Sequence, residues 1–284
     1  MKLFGLSDLH VNHRENQEAI KSLPAHPDDW LILAGDLGER GEQLEWVFSQ
    51  LVPKWAKVLW VPGNHELYTT PKSPLRGEVK YASLIDICRA YGVLTPEDPW
   101  PTWPGDPSLW ICPLFLLYDY SFAPDGMDRT AALAWAAADG IVCSDERYLY
   151  SDPHPSKESW CADRLEKTRA RLASIPADHR TILINHWPLR ADLVRLYRIP
   201  RFIPWCGTAE TEDWHTRYRA EVVVSGHLHM RATDWRDGVR FEEVALGYPR
   251  HWSQDKGAPH YLRQIWPAAV EAPESGEGGP DWHR

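Results

Sequence analysis

Five short apolar runs, Leu3 to Leu6, Leu31 to Ala34, Val58 to Val61, Ile182 to Ile184 and Val222 to Val224, each stop abruptly at residue types that hold metal ions. The endings are Ser7-Asp8-Leu9-His10, Gly35-Asp36, Gly63-Asn64-His65-Glu66, Asn185-His186 and Gly226-His227-Leu228-His229. Short apolar runs closed by turn residues read as buried strands. In open α/β sheets, ligands gather beyond the carboxyl ends of the strands, so all five endings are expected at one edge.

Each block taken alone has an ordinary reading. His10 or His186 is then a hydrogen-bonded histidine, Asp36 a helix N-cap, and Gly63-Asn64 a turn. Five such endings in one order are a different matter, and their coincidence carries the functional reading.

The blocks resemble the calcineurin-like metallophosphoesterase superfamily, whose pattern is Asp-x-His, Gly-Asp, Gly-Asn-His-Glu or Asp, His, and Gly-His-x-His. The resemblance spans Asp8 to His229. It implies a four-layer α/β/β/α sandwich and a metal-dependent phosphoric ester hydrolase, acting on monoesters or diesters. Gly35-Asp36-Leu37-Gly38-Glu39-Arg40-Gly41 also looks like the Gly-Asp-x-x-Asp-Arg-Gly segment of the phosphoprotein phosphatase branch, with Glu39 where that branch has Asp.

Two neighbouring cations repel each other, so a dinuclear centre needs several donors and one carboxylate able to bridge. Asp36 is the best bridge. By resemblance, Asp8, His10 and His229 complete one site with Asp36, while Asn64, His186 and His227 complete the other. Nitrogen and oxygen donors without thiolate suit manganese, iron, zinc, cobalt or nickel better than calcium, with manganese the first choice in vitro.

The resemblance implies that His65 stays off the metals and protonates the departing alkoxide as general acid, an effect worth about 100- to 10,000-fold. A metal-bound hydroxide is the implied nucleophile, with Arg40 as a second catalytic candidate that holds phosphate oxygens. Arg40 in a surface ion pair is the competing reading. Glu39 is the candidate partner of His65. Glu66 is read as a hydrogen-bond acceptor behind the ligands, against the alternative of a solvated loop carboxylate.

The ligands come from both ends of a 284-residue chain, which argues for one domain. The reading places the metallophosphoesterase domain at 1–268, with a variable substrate-side insertion around 96–175, and a polar, glycine-rich disordered tail at 269–284. A net charge of −9 disfavours a nonspecific polyanion binder, so nucleic acid is an unfavoured partner and a small phosphoester the expected one. Five scattered cysteines read as reduced thiols, no apolar stretch reaches membrane length, and the first strand leaves no room for a signal peptide. A soluble cytoplasmic enzyme is expected.

Helical spacing is expected over Glu15 to Leu23, at Leu44, Val47, Phe48 and Leu51, at Tyr81, Leu84, Ile85 and Cys88, near Ala131 to Ala138, and from Lys157 to Ala173. Leu109 to Leu117 reads as a further strand and Gly238 to Leu246 as a returning one. Tyr118 and Tyr120 are candidates to flank the leaving group, with ordinary packing as the alternative. The segment 195–205, with Tyr197, Arg198, Arg201, Phe202 and Trp205, reads as a pocket rim or as a solvated loop. A noncatalytic metal-binding scaffold and a nuclease of the same superfamily remain as competing functions.

Overall fold

The structure, a computed structural model, describes residues 1–283. Its strands are β1 (Leu3–Leu6), β2 (His26–Leu33), β3 (Trp55–Trp60), β4 (Thr102–Trp103), β5 (Asp106–Pro113), β6 (Arg180–Ile184), β7 (Ala220–Ser225), β8 (Ala232–Arg236), β9 (Val239–Glu243), β10 (Arg263–Trp266) and β11 (Gly278–Trp282). The helices are α1 (Arg14–Lys21), α2 (Gly41–Leu51), α3 (Gly77–Ala90), α4 (Arg129–Ala137), α5 (Asp145–Tyr148), α6 (Lys157–Ala173) and α7 (Trp214–Arg217).

Alternation along the strands decides the layering. Ile32 and Ala34, Leu59 and Val61, Ile182 and Ile184, and Val222 and Val224 fill one dry layer together with Leu109 and Ile111. Their neighbours Leu31, Leu33, Val58, Trp60, Leu183 and Val223 belong to an outer core shared with the helices. A strand apolar on both faces is buried on both, so the continuous apolar runs require two sheets with helices outside them. Each such side chain contributes roughly 1.5–3 kcal/mol by leaving water.

The sheets are ordered β10-β1-β2-β3 and β11-β8-β9-β7-β6-β5-β4. Strands β1, β2 and β3 run parallel, as do β5, β6, β7 and β9, so their carboxyl ends share one edge. Helix α2 buries Leu44, Val47, Phe48 and Leu51, and Gln43 Oε1 accepts from the Glu39 and Arg40 amides at 2.8 and 3.1 Å to hold its entry. Helix α6 starts at a Ser156 cap and buries Trp160, Cys161, Leu165 and Leu172. No described helix is long and apolar enough to cross a membrane.

Two expectations need correction. The tail read as disordered from 269 instead carries β11, which pairs antiparallel with β8. A sheet edge offers unpaired backbone groups that bind an extended segment whatever its composition, and the Arg236 guanidinium also donates to Gly278 O at 3.1 Å. The span 96–175, read as a variable substrate-side insertion, contributes β5 and α6 as its apolar runs imply, and its residues 142–144 line the cavity at the site. Tyr118 and Tyr120 within it are buried, with the Tyr120 hydroxyl donating to Glu146 Oε1 at 2.6 Å, so both pack rather than flank a leaving group.

Candidate metal centre

The strand ends deliver their polar residues to one place because backbone hydrogen bonds stitch the exit loops together. The Asp8 amide donates to Gly35 O at 2.8 Å, the His10 amide to Asp36 O at 3.0 Å, and the Gly226 amide to His186 O at 2.9 Å. Asp8, His10, Asp36, His227 and His229 all have positive φ, from 40° to 71°. Left-handed backbone is costly for residues with a Cβ, and five instances at these positions mark stored strain turned to placing side chains. Glycine is required at 63 and 226, where a Cβ would collide with the carboxylates of Asp36 and Asp8 respectively.

Asp8, His10 and His229 form one group of converging donor atoms, and Asp8, Asp36 and His186 form another. His229 Nε2 lies 3.0 Å from Asp8 Oδ1 and 3.2 Å from His10 Nε2. Asp36 Oδ2 lies 3.5 Å from His186 Nε2 and 4.0 Å from His10 Nε2, which places this carboxylate between the two groups. Asn64 Oδ1 is 3.3 Å from His186 Nε2. All of Asp8, His10, Asp36, Asn64 and His186 are buried.

The groups behind these donors fix which atom faces inward. His186 Nδ1 lies 2.8 Å from Ala34 O, so the ring donates there and turns Nε2 toward Asp36 and Asn64. The Asn64 amide nitrogen donates to Asp145 Oδ1 at 2.9 Å and Tyr68 Oη at 3.1 Å, which leaves its oxygen for the centre. Ser7 Oγ donates to Asp8 Oδ2 at 2.6 Å, and the His227 amide donates to the same oxygen at 3.0 Å. Glu66 is the acceptor expected: Oε2 takes the Asp36 and Gly63 amides at 2.9 and 3.0 Å, and Oε1 the Leu37 amide at 2.7 Å. Burial and the nearby Asp36 charge still push its carboxyl up to about 7.

The donor set fits cations that are not protons. His227 Nε2 is buried with no hydrogen-bond partner, and the Nε2 atoms of His10 and His229 face each other across the same space as Asp8. Burial disfavours charge on His186, but Asp36 outweighs it and raises that imidazole to about 10, whereas burial and the His186 charge press His227 down to about 3. Burial and the charge on His186 thus keep His227 neutral, which leaves its Nε2 lone pair available to a cation.

His65 stands at the edge of this cluster, where it forms a third set of converging donor atoms with His10 and Asp36. Its amide donates to Asp36 Oδ1 at 2.9 Å, its Nε2 is 3.9 Å from Asp36 Oδ2, and its Nδ1 is 3.4 Å from Glu39 Oε1. The longer Glu39 side chain therefore still reaches the histidine, as an ion pair. Burial opposes protonation of His65, but Asp36 and Glu39 prevail and raise it to about 9.

Arg40 is set apart from the cavity. It lies half-buried at the N-cap of α2 and is not among the residues lining the cavity at the cluster, whose cations are Arg198 and Arg250. Neither of those forms an ion pair with a described carboxylate. The segment 195–205 thus does form a rim, although Arg195 is committed to Asp234 at 2.7 Å and Trp205 is buried. Sequence reading also missed Asp145, Tyr68, Tyr248 and His251. Tyr248 stacks on His10 with ring centroids 4.4 Å apart, and His251 Nδ1 meets His229 Nδ1 at 3.0 Å. Only Asp145 carried a sequence signal, a carboxylate within an otherwise unassigned loop.

The calcineurin-like phosphoesterase family model matches residues 1–231. This chain belongs to that family. It is 46% identical over 278 residues to the [acyl-carrier-protein] phosphodiesterase PptH of Mycobacterium tuberculosis, covering 95% of this chain and 85% of that protein. The crystal structure of phosphopantetheinyl hydrolase (PptH) from the same organism superposes with a TM-score of 0.90 at 45% identity, covering 96% of this chain and 98% of the other. The calcineurin-like phosphoesterase described here is accordingly a hydrolase acting on phosphoric ester bonds, on the fold expected, and phosphodiesterase activity fits it. Its family uses divalent metals, and the converging donor groups match that use.

Proposed function

We propose that this phosphoesterase cleaves the phosphodiester that joins phosphopantetheine to an acyl carrier protein. The observation that carries the reading is the similarity to PptH along nearly the whole chain, together with the convergence of the donor groups at one edge. A free phosphomonoester is the less favoured substrate, as is nucleic acid for a chain of net charge −9.

Asp8, His10, Asp36 and His229 would hold one divalent cation, and Asn64, His186, His227 and Asp36 the other, with manganese the first to test. Bound there, the pair supplies an activated water and Lewis-acid stabilisation of the phosphoryl oxygens. The chain's own contribution is placement. Asp36 holds the His65 amide and so fixes the imidazolium over the ester, while Glu39 favours its charged form. His65 protonates the departing oxygen. Arg198 and Arg250 face the phosphate from the rim, the part expected of Arg40. Five buried free cysteines agree with a reducing compartment, and we assign the enzyme to the cytoplasm.

The test is incubation of metal-loaded enzyme with a phosphopantetheinylated carrier protein, read by mass spectrometry. Loss of the prosthetic group with release of phosphopantetheine is expected. An enzyme that hydrolyses bis-p-nitrophenyl phosphate yet leaves the carrier intact would sink the substrate assignment.

A further inference from the structure

The cavity at the metal cluster measures about 460 Å³. Arg198, Ile199, Arg250 and His251 line both it and a second groove of about 870 Å³, so the two adjoin. Tyr197, Met230, Tyr261 and Trp282 wall the groove alone. His229 belongs to both spaces, whereas His65, Tyr68 and the 142–144 segment line only the first. The groove therefore leaves the site on the His229 side, and the proton donor lies on the other.

Arg250, His251, Tyr261 and Trp282 fall beyond the 1–231 span matched by the family model. The groove is an addition to the shared hydrolytic core, part of it built by the C-terminal strand β11. Tyr197 is 77% exposed and Ile199 41%, so both present apolar surface to the groove. A phosphomonoester has one arm and the first cavity suffices for it. A diester has two.

We propose that this groove seats the pantetheine arm of the substrate and thereby decides which ester bond breaks. The inference rests on the carrier-protein reading above and gives its direction of cleavage a structural basis. With the arm held among Tyr197, Met230 and Trp282, the carrier oxygen is left on the His65 side. Water oxygen bonds to phosphorus, the bond from phosphorus to the carrier oxygen breaks, and that oxygen takes the proton. The carrier leaves with a free hydroxyl, and the phosphate stays on the arm as a monoester. Aromatic walls suit an extended, mostly uncharged chain, while Arg198 and Arg250 mark the junction where its phosphate begins.

Tyr197→Ala and Trp282→Ala test the assignment in the metal-loaded full chain. Two readouts are compared with wild type: the ratio of kcat/KM on phosphopantetheinylated carrier to that on bis-p-nitrophenyl phosphate, and the Kd of free phosphopantetheine by calorimetry. Each variant should lower the ratio about tenfold and weaken product binding by a similar factor. Tyr197 is exposed enough that its loss leaves the fold intact, so the pair remains informative even if Trp282→Ala is unstable. A wild-type enzyme active on the carrier, with ratio and Kd unchanged in the folded variants, would overturn the groove assignment alone. A wild-type enzyme active only on the small diester would overturn the substrate reading and this inference with it.

Discussion

The cluster around Asp36 and the cluster around Glu146 are both polar and largely buried, yet they are finished in opposite ways. Glu146 accepts from Tyr120 Oη at 2.6 Å, Trp205 Nε1 at 2.9 Å and Lys157 Nζ at 3.2 Å on one oxygen, and from Arg129 at 2.8 Å on the other. Around Asp36 the backbone is strained at five candidate ligand positions, imidazole nitrogens face one another, and His227 Nε2 has no partner. A polar cluster satisfied from within ties elements together; one left with converging free donors is shaped for something added. Substitutions in the two clusters should therefore separate activity from stability.

The largest effect belongs to Asp36, whose Oδ2 lies between the two donor groups. Asp36→Ala should release both cations and reduce hydrolysis to background, whereas His229→Ala should mainly weaken one. Metal analysis after gel filtration decides, and two tightly held metals in Asp36→Ala would contradict the bridge. Next comes His65→Ala, with metal content near wild type. On an alkyl phosphodiester the rate should fall about 100- to 10,000-fold, and on a nitrophenyl ester far less, because nitrophenolate needs no proton to leave. Equal losses on both would remove the general-acid role.

Glu146→Gln tests the other side of the contrast. Burial alone would raise this carboxyl, but the Tyr120, Trp205 and Arg129 hydrogen bonds outweigh it and bring its pKa from an ordinary 4.5 to about 2. The unfolded chain thus binds this proton more readily than the folded one. The stabilisation is fully present above about pH 4.5 and is lost as pH falls toward 2, and it amounts to about 2 kcal/mol once partial solvent access is allowed for. Glu146→Gln should lower the melting temperature at pH 7 by several degrees with both metals retained, and the gap from wild type should narrow in acid. A variant that melts normally but loses metal would reverse the contrast.

The contrast also explains what the sequence could reveal. Strand exits were legible because a short continuous apolar run and a turn residue are local signals, and α6 was read over its whole length from its apolar face. Asp36 and Asn64 were legible as candidates because chemistry limits which residue types can hold a cation. The Glu146 brace was not, since its donors come from 120, 129, 157 and 205 and no local spacing joins them. Tyr118 and Tyr120 were open to misplacement for the same reason: a tyrosine after a strand is equally at home at a pocket or in a core, and only tertiary burial decides. Arg40 sits in a segment similar to a phosphatase block, but α2 begins at that point and the cavity finds its cations at 198 and 250. Strand β11 carried no apolar signal because backbone pairing to β8 holds it.

The smallest prediction separates the members of the brace. Arg129 is 46% exposed on its side chain and Lys157 only 8%, although both reach Glu146. An exposed guanidinium has water to replace the carboxylate, so Arg129→Ala should cost about 0.5 kcal/mol, within the range of surface pairs. Lys157→Met keeps the buried stem but removes a charge with little access to solvent and should cost more, by roughly 1–2 kcal/mol. Urea denaturation at pH 7 resolves the two. If Arg129→Ala costs as much as Lys157→Met, solvent access does not grade the contacts, and Glu146 is held by its total charge environment rather than by the hydrogen bonds that burial protects.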